Sequence, residues 1–263
     1  MSVDRRVRLS LRTLVLGYLT VLLLVPVGLV FYRTFEHGLT PVWRAITTPA
    51  AVHAFWLTIE IALIAVPLNT VFGIVTALAL VRGRFRGKAL VDAVISLPFA
   101  LSPVVIGLAL LLVYGRGGWV SLPFQVIFSL PGMVLATVFV SLPFVVREVV
   151  PVLREVGDEQ EQAAATLGAS RWQAFLRITL PAIRWGVAYG VVLTTARAIG
   201  EFGAVSVVSG RIAGQTQTLT LLVEQRFQNF DLAGAYAASA LLGVIAIATL
   251  LAMTLLKPRK DQA

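Results

Sequence analysis

Apolar residues run through this chain in long blocks separated by short polar segments. An α-helix rises 1.5 Å per residue, so about 20 apolar residues cross roughly 30 Å of hydrocarbon. Blocks of that length predict spans at residues 11–32, 54–81, 90–114, 126–146, 185–208 and 232–256. The fold class expected is therefore an all-α membrane protein with six transmembrane helices, a single domain over 1–263. One polar segment stands apart between the fourth and fifth spans, residues 158–181: DEQEQAAATLGASRWQAFLRITLP. It is helical in content but amphipathic. Asp158 with Glu161, and Ser170 with Gln173, have capping-box spacing, in which each partner satisfies a free N–H at a helix start. Gly168 between them is expected to stop the first helix, because glycine enters the left-handed region without steric cost. Pro181 is expected to end or bend the second. Two capped helices meeting at a glycine predict a compact surface knob.

Breakers and charges interrupt the spans. In the second, Glu60 reaches the interface, Pro67 predicts a kink unless neighbours satisfy the freed carbonyl, and Asn69 predicts a hydrogen bond to another helix. In the third, Pro98 and Pro103 exclude a straight helix. With Ser102 they mark either the wall of a permeation path or a packing kink, since irregular backbone in a membrane needs protein or a water-filled cavity beside it. In the fifth, Arg197 and Glu201 are spaced i,i+4 and share one helical face. Opposite charges in hydrocarbon should pair and face the protein interior. They either fix packing or line the path. Gly200 and Gly203 allow another backbone to approach closely.

Composition narrows the class. The chain is 58% hydrophobic and 13% charged, with mean hydropathy +0.88, which excludes a soluble domain of this length. Without cysteine there is no disulfide or thiolate metal site. His37 and His53 are expected to stand alone in a loop, which argues against a histidine metal site. A net charge of +9 could suit nucleic acid, but its distribution points to a membrane. Basic residues gather before the first span (Arg5, Arg6, Arg8, Arg12), after the second (Arg82, Arg84, Arg86, Lys88), between the fourth and fifth (Arg147, Arg154, Arg171, Arg177, Arg184) and after the sixth (Lys257, Arg259, Lys260). The other side holds only Arg33, Arg44, Arg116, Arg211 and Arg226. The positive-inside rule then places both termini and the knob in the cytoplasm. The first span is too long for a signal-peptide core and lacks a small-residue cleavage site, so it is expected to be retained. Gly87-Lys88 is followed by Ala89 rather than Ser or Thr, so no phosphate loop is present and ATP hydrolysis by this chain alone is not expected.

Two stretches carry a family resemblance. Ala163-Ala164, Gly168 four residues on, then nine residues and Ile178-x-Leu180-Pro181 resembles the "EAA" loop of membrane subunits of ATP-binding-cassette (ABC) importers. The family's glutamate falls on Gln162 here, with Glu161 one place earlier. The segment ARAIGEFGA, residues 196–204, resembles the fifth helix of sulfate and molybdate permeases, and VSVVSG after it is most like the CysW type of sulfate/thiosulfate permease. The resemblance implies a type I ABC importer permease fold in a bacterial inner membrane. Glu161, Gln162, Ala163, Ala164, Gly168, Ile178, Leu180 and Pro181 would form the coupling helix that docks on an ATPase. Pro98, Ser102, Pro103, Arg197, Gly200, Glu201 and Gly203 would lie along the translocation path. Gln215, Thr216 and Thr218, in the polar outer loop GQTQTLT, would either meet a binding protein or form a solvated connector. The implied partners are a second permease, two ABC subunits that bind ATP and Mg²⁺, an external sulfate-binding protein and membrane lipid, with no nucleic acid and no cofactor in this chain. Molybdate or tungstate is the alternative cargo. An ion-coupled secondary transporter using Arg197 and Glu201 is the alternative class.

Overall fold

The computed structural model describes residues 5–120 and 122–255, and all regular structure among them is helical. Helix α1 (Arg5–Leu19) runs through a π turn (Thr20–Leu24) into α2 (Val25–Phe35). A short α3 (Leu39–Ile46) precedes the long α4 (Pro49–Arg82). Next come α5 (Lys88–Ala100), α6 (Pro103–Tyr114), α7 (Leu130–Val156), α8 (Glu159–Thr166) and α9 (Arg171–Ala174). A second π turn (Phe175–Thr179) leads into α10 (Leu180–Ile199), followed by α11 (Gly203–Val208), α12 (Leu219–Gln228) and α13 (Leu232–Leu255). Among the described residues, five helices are long and apolar enough to cross a membrane, and α5 with α6 makes a sixth if that bent pair is one span.

The core forms where α7 lies between α4 and α10. A β-carbon added at Gly73 of α4 would fall 2.6 Å from Val145 Cβ, and one at Gly190 of α10 would fall 2.8 Å from Val145 Cα. Both glycines are therefore required by close helix approach. Ala77, Val149, Leu153 and Ile183 extend this packing toward the knob. Toward the opposite end, Leu57, Ile61, Met133, Val140, Val205 and Leu221 form a second cluster. The first span stays peripheral: none of its most apolar window is buried. Thr34 at its end donates to the Tyr236 carbonyl of α13 at 3.0 Å.

Asn69 behaves as the sequence predicts. Its amide donates to Val138 O at 3.1 Å and Ser141 Oγ at 2.8 Å, both on α7. Ser141 also donates to Thr137 O, so its hydroxyl keeps a partner if Asn69 is lost. Asn69→Leu is thus expected to lower stability by no more than about 1 kcal/mol, since hydrogen bonds between membrane helices average about 0.6. The midpoint of unfolding in mixed detergent reads this, and a much larger loss would show that the amide does more than join two helices.

Several spans differ from their predicted form. α4 runs through Pro67 without a break. His53 lies within α4, not in a loop, and its Nε2 sits 3.0 Å from Gln215 O. The predicted span 90–114 is two helices bent by 112°. Leu101 and Ser102 are extended between them, and for Ser102 the cause is Pro103, since proline disfavours helical geometry in the residue before it. Pro98 is accommodated inside α5. The fourth span begins at Leu130, and Val126 and Ile127 precede it in a loop. The predicted fifth span ends at Ile199 and resumes as α11 after a break at Gly200–Phe202. The last predicted span reaches Leu256, which lies outside the described residues.

Candidate functional site

The knob is built as two helical turns around Gly168. The N–H of Gly168 donates to Ala165 O and that of Ala169 to Ala164 O, both at 3.0 Å, with Gly168 at φ +85. This is the paired closure of a helix C-terminus by a left-handed residue. Ser170 then caps α9: its Oγ accepts from Gln173 N at 3.3 Å, and Gln173 Oε1 accepts from Ser170 N at 2.8 Å. The first predicted capping box does not form. Asp158 makes no side-chain cap bond, and Glu161 turns to Arg82 and to Thr179, whose hydroxyl it receives at 2.9 Å. Pro181 does not end the second helix, which continues into α10. Upstream of it the helix widens to a π turn, where Leu180 N reaches back to Phe175 O. A proline ring crowds the carbonyl four residues before it, and widening relieves that contact. Gln162 and Ala163 are exposed, Ala164, Ile178 and Leu180 are part-buried, and Pro181 is exposed. The tip is apolar: Leu167 is 89% exposed, and Trp172, 66% exposed, stacks on Phe175 at 5.5 Å.

A second constellation forms where α10 ends and where α5 gives way to α6. Arg197 Nη1 lies 2.6 Å from Glu201 Oε2. The pairing agrees with the sequence, but the geometry differs, because Glu201 stands beyond the end of α10. Glu201 Oε1 accepts from Ala204 N at 2.8 Å and so caps the first turn of α11. Its backbone carbonyl accepts from Thr220 Oγ1 at 2.8 Å. The carboxylate is buried, whereas Arg197 keeps 29% of its side chain accessible. A cavity of about 10 Å³ beside Glu201 is lined by Thr58, Thr137 and Thr218 as well as apolar residues. The two broken segments pack together through glycines. A β-carbon at Gly203 would fall 2.8 Å from Pro103 Cβ, and one at Gly107 would fall 2.8 Å from Ala204 O.

Residues 69–262 match the family model described as "Binding-protein-dependent transport system inner membrane component". The chain belongs to this family of permeases. It is a multi-pass membrane component of an ABC importer, a part of a transport system and not an enzyme alone. The permease is 51% identical over 259 residues to the "Sulfate transport system permease protein CysW" of Synechocystis sp., covering 97% of this chain and 94% of that one. It is 51% identical over 245 residues to the protein of the same name from Escherichia coli K12, covering 91% and 84%. It is also 40% identical over 248 residues to the E. coli K12 "Sulfate transport system permease protein CysT", covering 92% and 88%. Among solved structures, a bacterial ABC transporter involved in import of the acidic polysaccharide alginate matches with TM-score 0.78 at 16% identity, covering 97% and 96%. That likeness shows the type I permease fold.

The predicted path residues of the permease do not share one surface. Pro103 and Gly203 meet at the packed break, with buried Glu201 beneath it. Pro98 is buried inside α5, and Ser102 is exposed at the bend. Gly200 instead lines an apolar groove with Ala196, Leu242 and Ile245. The outer loop differs more. Gln215 is exposed, but Thr216 and Thr218 are buried and do not present a surface. Thr216 Oγ1 accepts from Ile212 N at 3.2 Å, Thr218 pairs with Thr220, and Leu219 N donates to Thr58 Oγ1 at 2.9 Å. The polar string therefore stitches α4 to the break at Glu201. Arg82 is the residue that sequence reasoning missed at the knob. Its basic run reads as a membrane anchor, and its partner Glu161 lies 79 positions away.

Proposed function

We propose that this permease is the membrane subunit of an ATP-driven sulfate/thiosulfate importer. The observation that carries this reading is 51% identity across 97% of the chain to a protein named for sulfate transport. E. coli K12 has both a CysW and a CysT relative, which supports pairing with a second, related permease. In this reading two ATPase subunits bind ATP and Mg²⁺ and receive the knob, with Leu167 and Trp172 as its apolar tip. An extracytoplasmic sulfate-binding protein delivers the anion. In this reading both termini and the knob lie in the cytoplasm, the side that the distribution of basic segments favours. Gln215 is the part of the outer loop left to meet the binding protein. Within the path, Ser102 and Arg197 are accessible, whereas Glu201 is not. A carboxylate beside Arg197 reduces its attraction for a divalent anion, which must pass without being trapped.

The test is uptake of labelled sulfate into vesicles holding both permeases and the ATPase, with the binding protein outside and ATP within. ATP-dependent uptake competed by thiosulfate supports the reading. Competition by molybdate in preference to thiosulfate would reassign the cargo. Uptake driven by an ion gradient without ATP would reassign the class.

A further inference from the structure

We infer that Arg82 and Thr179 are positioning residues, forming with Glu161 a latch that carries movement of the knob into the membrane helices. This rests on the proposed docking of an ATPase at the knob. Arg82 is the last residue of α4. Its Nε and Nη2 each lie 3.3 Å from the Glu161 carboxylate on α8. Its Nη1 donates to Leu153 O at 3.3 Å, and Nη2 also donates to Gly157 O. Leu153 belongs to the last turn of α7 and Gly157 follows its end, where carbonyls lack helical partners. Glu161 Oε1 receives the Thr179 hydroxyl at 2.9 Å from the π turn that feeds α10.

One guanidinium and one carboxylate thus join α4, the end of α7, the knob and the root of α10. The planar fork of arginine suits this arrangement, because it donates in several fixed directions at once. The helices so joined are those packed tightly around Val145. A push on α8 is therefore delivered to three packed helices together. Without the latch, α8 hangs from Gly157 at φ +68 and Gly168 at φ +85, and could shift without moving α4. Both side chains are part-exposed, at 21% and 25%, so solvent weakens the ion pair and its main effect is on geometry.

The experiment uses the full reconstituted complex and measures sulfate transported per ATP hydrolysed for Arg82→Gln, Arg82→Lys and Thr179→Val. For R82Q, ATPase content and basal hydrolysis should match the wild type, while transport per ATP falls about tenfold, a typical size for coupling between sites. R82K keeps the charge without the fork and should recover part of the loss. T179V should show a smaller loss of the same kind, and it supplies the test if the R82Q permease does not fold or insert. Unchanged transport per ATP in R82Q, or in T179V where R82Q is lost, overturns the proposal. Loss of the ATPase from R82Q complexes also overturns it, since the residue would then serve docking. If the wild-type permease itself retains no ATPase, the docking reading fails, and the latch is read by hydrogen exchange on the permease. Amides of residues 159–166 should then exchange faster in R82Q than in wild type, and equal exchange overturns the latch.

Discussion

Glu201→Ala is expected to strip most of the permease from the membrane fraction. Glu201 is 3% exposed, accepts the Ala204 N–H and faces Arg197 at 2.6 Å. Its removal leaves a guanidinium without a counter-charge and the first turn of α11 without a cap. Breaking a buried ion pair costs about 3–5 kcal/mol. Arg197 is 29% exposed, which lowers that toward about 2 kcal/mol through solvent screening. The lost cap adds about 1 kcal/mol. Glu201→Gln keeps an acceptor for Ala204 and should lose less than the alanine variant. If the stranded charge is the cause, adding Arg197→Ala to Glu201→Ala should restore part of the stability. The charge swap Arg197→Glu with Glu201→Arg should not recover, because an arginine cannot accept the Ala204 N–H. These orders are read from thermal midpoints in detergent. Wild-type midpoints for both Glu201 variants would rule out a structural role for the carboxylate.

Gly168→Val should leave the permease inserted but reduce ATP-driven transport by about tenfold or more. The cost of a left-handed backbone for an ordinary residue is roughly 1–2 kcal/mol, and a β-branched side chain is worse. Nothing lies within 4 Å of a β-carbon at this glycine, so the penalty is purely one of backbone. It falls on the turn that sets α8 against α9, outside the packed core. Gly168→Asn should retain much more activity, because asparagine tolerates the left-handed region. Equal transport by Gly168→Val and wild type would show that this turn does not shape a docking surface.

These contrasts show what the sequence carries. Gly168 and the Ser170–Gln173 cap were legible because each rests on neighbours within a few residues. The bend at Ser102–Pro103 was legible as irregular, since proline acts on the residue before it, but its 112° angle depends on how α6 packs against α11. The break at Gly200 was hidden. Arg197 and Glu201 fit helical spacing, so nothing local shows that Glu201 caps a new helix. Burial of Thr216 and Thr218 was hidden for a related reason: threonine-rich segments read as solvated until a partner such as Thr58 of α4 is known. Glu161 fits a local capping pattern equally well, and only the fold brings Arg82 near enough to claim it.

The π turn at Phe175–Thr179 also stores a residue. It holds one residue more than an α-helical turn over the same rise, like a tooth added to a gear. Removing one residue there would let the segment close into regular helix and shorten it little. It would also leave everything before it facing nearly the same way around the axis of α10, because the π turn fits its extra residue into a single turn. Leu167 and Trp172 would keep their quarter of the compass, and Glu161 would stay on the side of Arg82. The permease can therefore lose a residue at this turn and still present its knob in the same direction, whereas the same loss within the regular turns of α10, at about 100° per residue, would turn the knob away.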